Sequence, residues 1–175
     1  MRLQKNTESG TSLVELMITA LLVGTFFASI FELNGVCLRM INGSKENVAA
    51  IQGVQDRLET LRNLSFTELT NATYLRDTVM VTPSNVSELA KKVTEDVMVR
   101  AYDTESATGG TTGTGIAIRR PAGATSTPSF IKTPDPTITD AKAVLVTVKY
   151  TWTMALTGRP RTEETSSIVS AGVKK

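Results

Sequence analysis

The sequence predicts an α+β protein: a long N-terminal helix, its first half apolar enough to span a membrane, packed on a small antiparallel β-sheet. Three observations carry that reading. From Leu16 to Phe31 no residue is charged, and the one carboxylate just before that run is Glu15. Apolar residues then recur at helical spacing as far as Leu61, and no proline interrupts the chain before Pro83. Beyond that point the period changes from 3.6 to 2, most clearly over Ala143–Leu156.

The N-terminal stretch has three candidate readings. As a helix, Thr11–Phe31 is about 31 Å long, the thickness of a bilayer's hydrocarbon core. A cleaved secretory signal is one reading, but the apolar run exceeds the usual length and bulky Ile30, Phe31 and Leu33 stand where small residues should precede a cut. A plain anchor is the second, and it leaves Gly10 and Glu15 without a purpose. An acid at the end of a membrane segment is costly and marks a functional site with a partner to be named. The third reading is a prepilin-type signal: a short polar basic leader, a Gly before the cut, a Glu five residues beyond it, then an apolar helix.

On those residues the chain resembles the type IV pilin and type II secretion pseudopilin family. Gly10 matches the residue before the prepilin peptidase cut, Thr11 the new N-terminus that is N-methylated, and Glu15 the glutamate used in assembly. Leu13-Val14-Glu15-Leu16-Met17-Ile18 follows the family's wording, and Gly24 falls where many members carry a Gly. Thr11 stands where Phe or Met is common. Glu32 stands where major pilins often have a kinking Pro, which implies a minor pilin or minor pseudopilin. The segment Arg57–Phe66, RLETLRNLSF, is similar to that same subset. The resemblance implies a leader over residues 1–10, a membrane and assembly half of the helix over 11–35, and a head over 36–175. It also implies prepilin peptidase, sibling pilin subunits and the inner membrane as partners, and a structural role in a pilus-like or type II secretion filament.

Charge and composition set further bounds. Arg2 and Lys5 precede the span and no basic residue follows it before Arg39, which predicts a cytoplasmic N-terminus with the bulk of the chain outside the inner membrane. After assembly the filament would be periplasmic or on the cell surface. The formal net charge is +2, and removing Arg2, Lys5 and Glu8 with the leader leaves +1. That balance, with one Trp assigned to the core, argues against nucleic acid. There is no His, which removes the commonest general base and zinc ligand. Neither a Ser-His-Asp arrangement nor a G-x-S-x-G, Walker or CxxC motif is present, so the expectation is no enzyme and no cofactor. The neighbours Glu95-Asp96 and Glu163-Glu164 read as solvated faces. Asp135 and Asp140 lack a calcium spacing. Asn42, Asn63, Asn71 and Asn85 head N-x-S/T triplets that chance explains in so Ser/Thr-rich a chain.

Element by element, the helix is expected from Thr11 to about Asn63. Its apolar stripe is Cys37, Met40/Ile41, Val48, Ile51, Val54, Leu58 and Leu61, with Lys45, Glu46, Asp56, Arg57, Glu59 and Arg62 on the wet side. Glycines at 35, 43 and 53 weaken it by about 1 kcal/mol each relative to Ala. The lone Cys37 reads as a small buried apolar residue. Ser84–Thr94 suits a short helix capped by Ser84 or Asn85. Asp77–Thr82, Asp96–Tyr102 and Gly115–Arg119 are strand candidates. In Ala143–Leu156 the even residues Val144, Val146, Val148, Tyr150, Trp152 and Met154 form the buried face. Thr157-Gly158-Arg159-Pro160 is a turn, and Thr162–Ala171 its hairpin partner. Thr104–Gly115 and Pro121–Thr139 read as loops, which could carry contacts to a partner. A second class of function follows from them: a filament-tip binding module for DNA, a surface or a secreted protein.

Overall fold

The computed structural model describes residues 12–102, 115–123, 127–155 and 157–172. They form the expected α+β arrangement, a long apolar N-terminal helix and a five-stranded antiparallel sheet. The chain divides after Asn42 into two units. Helix α1, Leu13–Asn63, runs through both. In the first unit every residue from Ser12 to Asn34 is exposed. This is the one helix among the described residues long and apolar enough to cross a membrane.

In the second unit the strands lie in the order β3-β2-β1-β4-β5, where β1 is Thr94–Ala101, β2 Gly115–Arg120, β3 Ser129–Lys132, β4 Ala143–Thr153 and β5 Pro160–Ser170. All neighbours are antiparallel. β4 alternates as its sequence predicts: Val144, Val146, Val148, Tyr150 and Trp152 are buried and the residues between them are half-buried. It pairs with β1 over eight residues and with β5 over eleven, without a break in register. The turn between β4 and β5 closes through Gly158, whose φ of +63° favours glycine, and through Met154 N–H donating to Arg159 O.

The segment Gly43–Asn63 of α1 lies on this sheet. Its buried residues are Gly43, Ala50, Gly53, Val54, Arg57 and Leu61. The small ones let the helix approach β4 closely: a Cβ on Gly53 would sit 2.6 Å from Tyr150 Cε2. This corrects the expected stripe. Val54 and Leu61 are buried and Leu58 packs on the core, but Cys37, Met40, Ile41, Val48 and Ile51 are exposed. Exposed Cys37 also overturns its reading as a buried apolar residue.

Between α1 and the sheet run short elements: α2 (Phe66–Leu69), α3 (Ala72–Tyr74), a π-helical turn (Leu75–Val79) and α4 (Glu88–Lys92). α2 opens with a capping box, Ser65 and Glu68 each bonding the other's backbone N–H. The π turn replaces the expected strand over Asp77–Thr82. It buries Leu75, Val79 and Met80, and the carbonyls of Val79 and Thr82 are taken by Arg57 instead of a strand ladder. α4 is shorter than expected and its N-cap is Ser87, not Ser84 or Asn85. Within Pro121–Thr139 the chain forms β3 and a 3-10 helix, Pro136–Asp140, so that segment is not all loop. Of the other expected loop, residues 104–114 lie outside the described residues.

Candidate functional site

Two places concentrate polar chemistry, and each lies within one unit. In the first, α1 begins at Leu13; Gly10 and Thr11 lie outside the described residues. Glu15 falls in the first turn of α1, where the helix dipole favours a negative charge. The hydroxyls of this segment are satisfied by their own helix. Thr19 donates to Glu15 O at 2.8 Å, Thr25 to Leu22 O at 2.9 Å and Ser29 to Thr25 O at 2.9 Å, while Ser12 Oγ accepts from Val14 N–H at 3.3 Å. Such back-bonding is what a helix without water requires. Among the described residues that leaves the Glu15 carboxylate as the one polar side chain between Ser12 and Phe31 without a hydrogen bond.

The second place is a charge cluster inside the head. Adjacent acids at the start of β1, Glu95 and Asp96, point to opposite faces of the sheet. The antiparallel register sets them against adjacent arginines at the end of β2, Glu95 opposite Arg120 and Asp96 opposite Arg119. On the core face the Glu95 carboxylate is fully buried and accepts from Arg57 Nε at 2.5 Å, Arg57 Nη2 at 3.2 Å and Arg120 Nε at 3.0 Å. Arg57 also donates to Val79 O and Thr82 O, both at 2.6 Å, and Arg120 to Ala90 O at 2.7 Å. One carboxylate thus ties α1, the π turn, α4, β1 and β2 together. On the other face Asp96 accepts a two-point bond from Arg119 at 2.7 and 2.8 Å, which raises the Arg119 pKa. These residues overturn the solvated readings of Glu95-Asp96 and of Arg57. The signal was present as Glu-Asp opening one alternating strand and Arg-Arg closing the next, but only the register shows that they meet.

Tyr150, under Gly53, is also fully buried, and its hydroxyl meets Ser84 Oγ. Burial, and then the nearby Glu95 carboxylate, push its phenol up to about 12. Trp152 Nε1 and Glu46 Oε2 are buried with no hydrogen-bond partner among the described residues.

Asp135 is a helix cap, accepting from Thr137 N–H and Oγ1 at 2.8 Å. It borders a groove of about 470 Å³ lined by Thr67, Thr70, Asn71, Ile116 and Thr139 among others. Among the described residues no three His, Cys, Asp or Glu side chains gather as a metal site. Comparison with protein-family models, with curated proteins and with solved structures found no match. The architecture itself, a long apolar N-terminal helix with an antiparallel sheet packed on its later turns, is pilin-like.

Proposed function

We propose that the chain is a structural subunit, a minor pilin or minor pseudopilin, that is cut after Gly10 by prepilin peptidase and assembled into a filament. The observation that carries this reading is Glu15. It is an acid without a side-chain partner among the described residues, one turn into a helix whose other polar groups satisfy themselves, and five residues beyond Gly10. Burying a carboxylate between packed helices requires a cation. Cutting after Gly10 creates one, the amine of Thr11, and the amine of a neighbouring subunit would meet Glu15 at one axial stagger only. The exposed side chains from Leu16 to Phe31 are at home in lipid, and on extraction they must be covered by the same helices of neighbouring subunits. Before assembly the chain sits in the inner membrane with its N-terminus cytoplasmic.

The mass of the mature N-terminal peptide tests this. In a host with prepilin peptidase the chain should begin at N-methyl-Thr11. An intact Met1, or a cut beyond Phe31, overturns the reading.

A further inference from the structure

The two edges of the sheet are built differently. β3 has four residues, its pairing shifts between Ala117 and Ile118, and the Arg76 guanidinium covers Phe130 at 4.8 Å. Short length, an irregular register and a covering charge are ordinary ways to blunt an edge. β5 has eleven residues, pairs with β4 without a shift, and is the longer edge by far.

The hydrogen-bond phase shows which β5 groups are free. Ala171 N–H donates to Lys142 O and Met154 N–H to Arg159 O, so the bonded pairs across β4 and β5 fall on odd-numbered β5 residues. The N–H and C=O groups of Thr162, Glu164, Ser166, Ile168 and Ser170 therefore point outward, and no described strand meets them. Pro160 occupies an outward position and blunts only the first residue of the strand. From Thr162 to Ser170 the outward row carries one charge, Glu164, and an exposed Ile168.

Alternating donors and acceptors along an extended backbone are matched by another extended backbone and by little else. A second copy fits badly. Two β5 strands paired antiparallel would set the two α1 segments running in opposite directions, whereas subunits of one filament share a direction. Paired in parallel about a two-fold, which turns one strand's faces over, Glu163 of each copy would share a face with Glu164 of the other, like charges side by side.

We propose that the free edge of β5 receives an extended strand from a neighbouring filament subunit of a different kind, with a basic side chain opposite Glu164. This inference rests on the filament reading above. It gives the subunit a lateral contact through the head that is separate from the apolar helix.

Proline at an outward position removes an edge donor and leaves the β4 ladder whole. Ser166→Pro in the full-length chain should unfold within a few degrees of wild type in detergent, yet enter sheared filaments at least tenfold less. Ser166→Ala, which changes only the side chain, should enter normally. Amide exchange on wild type gives a second readout. The Thr162, Glu164, Ser166 and Ile168 amides should exchange at least tenfold more slowly in filaments than in detergent. Normal entry of Ser166→Pro, equal exchange rates, or a β5-dependent dimer of the purified chain overturns the strand-addition proposal alone. If wild type is cut and methylated but absent from every filament, both this inference and the filament reading fall.

Discussion

Replacing Glu95 by Gln tests whether the buried charge cluster holds the head together. The carboxylate is fully buried and accepts three bonds from two guanidiniums, and Arg57 and Arg120 are themselves buried. Glu95→Gln keeps the shape but leaves two desolvated cations without an anion, which costs about 3–5 kcal/mol for a broken buried pair. At about 4 °C per kcal/mol for a domain of this size, the midpoint should fall by about 12–20 °C. Trp152 is the only Trp, lies in the head and is buried, so its fluorescence follows head unfolding of the full-length chain in detergent. Asp96→Asn is the matched control. Its partner Arg119 has a side chain 49% exposed, so the change should cost no more than about 1 kcal/mol. A Glu95→Gln loss below about 1 kcal/mol would refute the reasoning, since it would mean that the arginines are not desolvated as their geometry requires.

Other measurements probe other parts. Glu15→Val should leave cleavage and membrane insertion intact but keep the chain out of sheared filaments, since one buried charge would lose its partner; normal incorporation would end the register argument. The Tyr150 phenol is neutral in the folded head up to pH about 12, whereas the unfolded phenol ionises near 10. Stability is therefore full below pH 10 and falls by about 2–3 kcal/mol as the pH rises to 12, a loss that Tyr150→Phe should abolish in pH-dependent unfolding. Trp152→Ala should cost about 3–5 kcal/mol in chemical denaturation, the range for emptying a buried aromatic site. Gly53→Ala should destabilise despite a helix-propensity gain of about 1 kcal/mol, because the new Cβ would lie 2.6 Å from the Tyr150 ring. Gly43→Ala meets only the flexible end of Met154 at 3.3 Å and should be neutral or stabilising by the same assay.

Elements whose signal is periodic and local could be read without the fold. α1, β4 with its buried even face, the Gly158 turn and β5 were legible because one face of each pattern is fixed by hydrophobicity over many residues. Glu15 stood out as a candidate because a charge beside an apolar run is anomalous without any fold. Long-range packing set which face of α1 meets the sheet. Small residues at 43, 50 and 53 outrank the larger Val48 and Ile51, because close approach to Tyr150 and Met154 needs room rather than bulk. It decided the π turn over the strand at Asp77–Thr82, since a buried guanidinium from α1 took the carbonyls that a ladder would use. It also turned Glu95 and Arg57 from apparent surface charges into core, with Arg120 buried beside them. Hydropathy scores each charge alone, whereas burial of a charge depends on an opposite charge brought alongside by pairing and packing between residues far apart in the chain.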